Sequence, residues 1–342
     1  MKIVITGGAG FLGFHLAQGM REHELVLLDI AAFVPSEVPE GAQTVQADVR
    51  DREALRAACA GADVIVHAAA ALPLWKPAEI RSVNLDGTRA VLEVAQELGV
   101  PRVVHISSTA VYGIPDHHPL DESDPMDGVG PYGESKVAAE ELCQEARAAG
   151  QCVCVLRPKT FIGPERLGVF QILFDWVDAG VKIPVIGNGR NRYQLLAVED
   201  LVEAARLACT AHAEQVNDVF NVGAAAFDTV GEDLGALFAH AGTGSRLFRT
   251  PAWLCKSALA VLEFLRLSPL YKWIYGTADQ DSFVSIDKLR GLGWEPKYSN
   301  AQTLIATYDW YKANKDAIPE AGTGHRVPWK EGALRIVRWF LR

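Results

Sequence analysis

The chain has 342 residues, 49% of them hydrophobic and 22% charged, and a formal net charge of −9. That is enough chain to bury a large core without staples, and the acidic balance argues against non-specific affinity for nucleic acid. The six cysteines (Cys59, Cys143, Cys152, Cys154, Cys209, Cys255) form no CxxC pair and have no matching histidine cluster. Reduced core thiols and no metal site are therefore expected, with Cys152 and Cys154 spaced to share one face of a buried strand. The N-terminus runs directly into a strand, and no apolar run reaches the roughly 18 residues of a membrane span. A cytoplasmic protein without a signal peptide is the expectation.

Lys2 to Thr6 reads as a short apolar strand, followed by Gly7, Gly10 and Gly13 in a G-x-x-G-x-x-G turn that opens a helix over Phe11–Arg21. Glycines let backbone approach a pyrophosphate closely, and a helix N-terminus offers N–H donors and a positive dipole end. The next strand, Glu24–Leu28, ends at Asp29, near the roughly 20-residue spacing at which a carboxylate binds the adenosine ribose hydroxyls. A carboxylate there repels a 2′-phosphate, so NAD is expected rather than NADP. Gln43–Gln46 is a third strand, and Asp48-Val49-Arg50-Asp51 leads into the helix Glu53–Ala60. Asp48 borders the adenine or, like Asp51, caps a helix.

Asp63–His67 is a continuous apolar strand running into Ala68, Ala69, Ala70 and Ala71, whose small side chains let a cofactor lie against the backbone. His67, ending a buried strand, reads as structural rather than as a base. Pro77 to Leu98 is a long helix carrying Asn84, Arg102–Ile106 a fifth strand, and Pro131–Ala148 a helix with Tyr132 and Lys136 on one face. Cys152–Leu156 is the sixth strand. The alternation predicts a doubly wound parallel α/β sheet with ligands across the carboxyl ends of its strands. Beyond Arg157 the rhythm breaks. Phe170–Ala179 reads as a helix, Gly187–Asn191 as a turn, Gln194–Val198 with the helix Glu199–Thr210 as a return to the first domain, and Asn217–Val222 as a strand. The expected division is a nucleotide domain at 1–165 with a return at about 192–222, and a smaller interleaved C-terminal lobe at 166–191 and 223–342.

Motifs run nearly end to end: TGGAGFLG at 6–13, ADVRD at 47–51, HAAA at 67–70, VNLDGT at 83–88, HISSTAVYG at 105–113, YGESK at 132–136, LRP at 156–158, VEDLVEAARLA at 198–208, FNVG at 220–223 and LGWEP at 292–296. In this order the chain resembles the extended short-chain dehydrogenase/reductase family, which contains sugar-nucleotide epimerases, dehydratases and the 3β-hydroxysteroid dehydrogenase type. The resemblance implies a Rossmann sheet, NAD, and a catalytic set of Ser108, Tyr132 and Lys136. Ser108 orients the substrate hydroxyl, Tyr132 removes its proton, and Lys136 favours the phenolate, since a free tyrosine holds its proton to about pH 10. It also implies cofactor contacts from Gly7, Gly10, Phe11, Leu12, Gly13, Asp29, Asp48, Val49, Ala68, Ala69, Ala70, Asn84, Tyr132, Lys136 and Pro158. Asn84 steadies the site or makes a structural helix contact.

Departures narrow the chemistry. The dehydratase branch has Asp-Glu after the catalytic hydroxyl, where this chain has Thr109 and Ala110. Epimerases of the family place an asparagine at Thr160 and an arginine before the LGW segment, where Gly276–Asp281 has none. Arg192 matches another phosphate-facing arginine, and Arg166, Arg190, Arg246 and Arg249 are possible substitutes for those missing. The expected substrate contacts are Ser108, Thr109, Thr160 and Arg192. Apolar residues concentrate in Pro251–Tyr275, and the tail Ala333–Arg342 interleaves apolar side chains with Arg335, Arg338 and Arg342. These read as packing helices of the lobe or a dimer interface, or as a greasy-substrate feature with weak membrane-surface contact by the tail. The expected function is a sugar-nucleotide epimerase acting through a transient keto intermediate. The alternative is a 3β-hydroxysteroid-dehydrogenase-like enzyme on a lipophilic alcohol. A non-catalytic NAD-binding module, the third reading, has no need of Ser108, Tyr132 and Lys136. By analogy with the family, a homodimer is expected.

Overall fold

The computed structural model describes residues 1–73, 75–165, 167, 170–264 and 276–317. Arg166, much of the apolar 251–275 segment and the basic tail 333–342 lie outside the described residues, as do the expectations attached to them. The chain divides into two compact units: residues 1–159, 198–223 and 284–295 form the first, and 160–197, 224–283 and 296–342 the second.

The first unit is built on a seven-stranded sheet in which every paired neighbour is parallel. Its strands are β1 (Lys2–Thr6), β2 (Glu24–Asp29), β3 (Gln43–Gln46), β4 (Val64–His67), β5 (Arg102–Ile106), β6 (Val153–Pro158) and β10 (Val219–Val222). The spatial order is β10-β6-β5-β4-β1-β2-β3. The chain leaves β1 in one direction for β2 and β3 and returns on the other side for β4, so the order reverses between β1 and β4. In such sheets this switch point is where a crevice opens beyond the carboxyl ends. Every residue of β4 and of β6 is buried, as continuous apolar strands covered on both faces require. Helices α2 (Arg52–Cys59), α4 (Gly87–Leu98) and α5 (Gly130–Ala148) contribute Leu55, Val91, Val94 and Cys143 to the core against one face. On α7 (Val198–Thr210), Arg206 donates to Gly19 O at 2.6 Å at the end of α1 (Phe11–Gly19).

The segment expected as one helix over 77–98 is helical throughout but not uniform. It runs as α3 (Pro77–Arg81), a π-helical turn at Ser82–Asp86 and α4. From the start of α4 the Thr88 hydroxyl donates to Asn84 O within that turn at 2.6 Å, and widened turns of this kind recur at functional positions. The sixth strand begins one residue later than expected and runs on to Pro158, because β10 pairs with it as far as Val222↔Pro158. Cys152 therefore precedes the strand and is half-buried, while Cys154 is fully buried within it. The return to the first unit starts at Val198, not 192. Residues 192–197 belong to the second unit because β9 (Leu196–Ala197) pairs with β7 (Phe161–Ile162). Residues 284–295 rejoin the first unit, where Trp294 Nε1 donates to Asp200 O at 3.1 Å and Lys288 bridges Asp218 at 2.7 Å.

The second unit packs α6 (Phe170–Asp178), α9 (Val230–Ala241) and the helix Asn300–Asn314 around Phe174, Trp176, Leu237, Tyr308 and Tyr311. A parallel pair, β8 (Ile183–Ile186) with β11 (Leu247–Thr250), lies in the same unit. On α10 (Ala252–Phe264), Trp253, Leu254 and Val261 are exposed. Among the described residues no helix is long and apolar enough to cross a membrane.

Candidate active site

The crevice end of β1 is shaped by contacts that only glycine permits. A side chain at Gly7, where φ is +76°, would place its Cβ 2.8 Å from Ala69 N, and one at Gly13 would place it 2.0 Å from Gly7 O. The loop thus closes directly onto the residues after β4 and onto the start of α1. Gly10 is the N-cap of α1 and provides no side-chain cap, so the first turn keeps its N–H groups for an anion. Phe11 and Leu12, in that turn, point into the core at 1% and 8% exposure and so hold the helix in place. Asp29 ends β2 and accepts from Ala9 N at 3.0 Å and Ala31 N at 2.9 Å. Burial raises its pKa against those backbone bonds. The carboxylate is therefore tied to the glycine loop, and the residues present fit a dinucleotide.

Several other expected cofactor residues have partners within the protein. Asp48 forms an ion pair with Arg50 at 2.5 Å and also accepts from Arg50 N at 2.9 Å, and this pairing holds its pKa below the usual carboxylate range. The helix cap is Asp51, which accepts from Glu53 N and Ala54 N. Val49 is buried beneath Gly87. Ala68, Ala69 and Ala70 are half-buried along the loop after β4.

Asn84 is 2% exposed, and both polar ends of its amide are engaged within the protein. Its Oδ1 accepts from Ala71 N at 2.7 Å, while Nδ2 donates to Ala71 O at 3.2 Å and to Ser135 Oγ at 3.0 Å. Ser135 Oγ in turn donates to Tyr132 O at 2.7 Å. Asn84 thus ties the loop after β4 to α5.

His67 joins the same arrangement. The Thr88 hydroxyl proton goes to Asn84 O, so at 3.0 Å from His67 Nε2 that oxygen accepts, and Nε2 carries the imidazole proton. Nδ1 then accepts from the Thr6 hydroxyl at 2.8 Å, whose oxygen accepts from Ala69 N at 3.3 Å. Burial, with Lys136 adding to it, pushes the imidazole down to about 3. His67 is a neutral structural link.

Beyond β5 the two serines diverge. Ser107 is buried and donates to Glu140 Oε1 at 2.5 Å. Ser108 is half-buried and extended, with its Oγ accepting from Ala110 N at 3.2 Å as the N-cap of a 3-10 turn at Thr109–Tyr112. Thr109 Oγ1 donates to Pro158 O at 3.4 Å, joining the ends of β5 and β6. The start of α5 packs on this turn: a Cβ on Gly133 would come 3.1 Å from Ala110 O. Tyr132, the third residue of α5, is half-buried, and Lys136 is 4% exposed. Lys136 Nζ lies 6.0 Å from the Tyr132 ring centroid and donates to Ile106 O at 2.9 Å. Burial pulls the amine down to about 8, partly offset by the Glu140 carboxylate.

In the second unit, Thr160 Oγ1 and Tyr193 OH are 2.8 Å apart. The Arg192 guanidinium sits over the rings of Phe227 and Phe283 at 4.6 and 4.8 Å, and its backbone N donates to Asp281. Aromatic faces hold a guanidinium by cation–π attraction while leaving its fork of donors to a ligand. Residues the sequence reading passed over are Ser135, Thr6, Thr88 and the Ser107–Glu140–Arg157 group. Glu140 carried a readable signal, since it follows Lys136 at the same four-residue spacing that links Tyr132 to Lys136.

Residues 3–223 match the NAD dependent epimerase/dehydratase family. The uncharacterized protein y4nG of Sinorhizobium fredii is 34% identical over 99% of this chain and 86% of its own length. The UDP-glucose 4-epimerase of Streptococcus mutans is 28% identical over 92% of this chain and 97% of its own. Among solved structures, the UDP-glucose 4-epimerase of Thermus thermophilus in complex with NAD has a TM-score of 0.72 and 26% identity, covering 91% of this chain and 99% of that one. The seven-stranded parallel sheet, the glycine loop closed on β4 and the family match agree: the chain belongs to the NAD dependent epimerase/dehydratase family of extended short-chain dehydrogenase/reductases, and its cofactor is NAD.

Proposed function

We propose that the protein is a sugar-nucleotide epimerase that inverts a ring alcohol, with Tyr132 as its acid/base, Lys136 as the cation that sustains the phenolate and Ser108 as the hydroxyl that orients the substrate. The observation that carries this reading is the buried Lys136 ammonium beside the Tyr132 ring on a helix packed against the Ser108 turn. Thr109 and Ala110 offer no carboxylate for the elimination of water, which favours epimerisation over dehydration.

Two features lower the tyrosine's proton affinity. The ammonium of Lys136 favours the adjacent phenolate by direct attraction, and Tyr132 lies in the first turn of a 19-residue helix, whose dipole favours negative charge there. The phenolate takes the proton of the sugar hydroxyl, which Ser108 aligns, and gives it back when the carbinol re-forms. When bound, NAD would supply a reversible hydride acceptor for the sugar ring carbon, so that the hydride could return to the opposite face. The helix α1 N-terminus would hold its pyrophosphate and Asp29 its adenosine ribose. Within the second unit, the Arg192 fork, held by its two rings, is suited to a phosphate.

Replacing Tyr132 by Phe should reduce turnover of UDP-glucose by about 100-fold or more, the usual worth of a general acid/base, while leaving NAD binding intact by calorimetry. Unchanged turnover would remove Tyr132 from the chemistry. Asp29→Ala should weaken NAD relative to NADP in the same titration, and an unchanged ratio would take Asp29 out of the ribose site. Turnover should also fall as pH rises through about 8, because Lys136 then loses the proton that sustains the phenolate. A rate that keeps rising well above that pH would contradict the assigned role of Lys136.

A further inference from the structure

Tyr132, Lys136 and Glu140 recur every four residues along α5, so all three side chains leave one face of the helix. Glu140 is 4% exposed and Arg157, on β6, 3% exposed. Arg157 Nε lies 3.0 Å from each carboxylate oxygen and Nη2 lies 2.7 Å from Oε2, while the Ser107 hydroxyl donates to Oε1. The other side of the guanidinium donates to Tyr112 OH at 2.8 Å, and Tyr112 OH donates to Asn221 Oδ1 at 2.8 Å. A buried ion pair is a weak source of stability, since desolvation opposes the attraction, so its place beneath a catalytic lysine calls for another account.

The groups around Lys136 explain why a charge is needed. From α5 it faces Tyr132, Glu140 and Cys143; from β4 and β5 it faces His67 and His105; Arg157 lies on β6 and Asn84 on the π turn. Burial drives His67 and His105 toward the neutral form and raises Cys143 to about 12. Glu140 is the one anion among these groups apart from the phenolate itself.

We propose that Glu140 is a positioning residue whose charge, moderated by Arg157 and Ser107, sets the proton affinity of the Tyr132–Lys136 pair. The inference rests on the assignment of that pair as the acid/base, and not on the identity of the substrate. Arg157 and the Ser107 hydroxyl engage both oxygens of the carboxylate. The ionised carboxylate in turn makes loss of a proton from the pair, whichever member gives it up, more difficult. Removing the anion lowers the pH of every proton loss from the pair. Removing the Ser107 dipole leaves the anion less compensated and raises it.

The test is phenolate absorbance of the NAD-loaded full chain against pH, taken as the difference from Tyr132→Phe in the same background, so that no substrate is required. In Glu140→Gln, which keeps the shape of the side chain, the phenolate should appear about one pH unit lower than in the parent. The double variant Glu140→Gln/Arg157→Gln, which removes both charges, should return it toward the parental position. Ser107→Ala should move it the opposite way from Glu140→Gln, and this arm decides the matter if Glu140→Gln fails to fold. A phenolate transition at the parental pH in the folded variants would overturn the proposal. If no sugar nucleotide is turned over but the transitions move as stated, the epimerase reading fails and the role of Glu140 stands.

Discussion

The Asn84 amide is the constraint on which the placement of Tyr132 and Lys136 depends. With two hydrogen bonds to the Ala71 backbone and one to Ser135, it fastens the loop after β4 to the first turn of α5. Ser135 passes the restraint to Tyr132 O, so the backbone at Tyr132 is tied to the loop after β4, far earlier in the chain. Each such bond contributes about 1 kcal/mol net, but leaving the buried Ala71 N–H unpaired would cost more than that. The π turn at Ser82–Asp86 turns Asn84 inward, and Thr88 and His67 extend the same polar chain back to Thr6 at the mouth of the glycine loop. Cofactor loop and acid/base helix are therefore held by one continuous set of neutral hydrogen bonds. Neutrality matters here: a protonated His67 would be a second cation in contact with the field of Lys136, and its burial prevents that.

Charge is reserved for the next layer. Lys136 is almost fully buried, and its hydrogen bond to Ile106 O fixes the amine without neutralising it. An ammonium in that position is costly, which is why its proton affinity falls toward the working range. The Glu140–Arg157 pair one turn further along α5 limits how far it falls. The same helix thus presents Tyr132, Lys136 and Glu140 in chain order and on one face.

Much of this was readable before any coordinates. The glycine turn, Asp29 and the Tyr132–Lys136 spacing are set by backbone geometry within a few residues or by a fixed strand-helix-strand length, and such local rules survive in sequence. The two roles left open for Asp48 and Asp51 divided by their nearest donors: Arg50 engaged Asp48, and the N–H groups of Glu53 and Ala54 engaged Asp51. What could not be read depends on partners far apart in the chain. Asn84 and Ser135 are 51 residues apart, and Ser107 and Glu140 are 33 apart, so neither contact leaves a periodic trace. The π turn hides inside an uninterrupted helical pattern because one wider turn alters the apolar period by less than composition noise does. The exchange of 192–197 and 284–295 between units reflects strand pairing and the Trp294 contact, which no linear pattern records.

The most direct test of the account is the fate of a label. UDP-glucose carrying deuterium at the C4 carbon should, with NAD-loaded enzyme, give UDP-galactose that keeps the deuterium on C4, with no reduced cofactor accumulating in solution. That result follows if Tyr132 shuttles only the hydroxyl proton while the carbon-bound hydrogen leaves and returns within one closed site. Deuterium released into reduced NAD in proportion to substrate consumed would contradict it and identify a net dehydrogenase built on the same tyrosine and lysine.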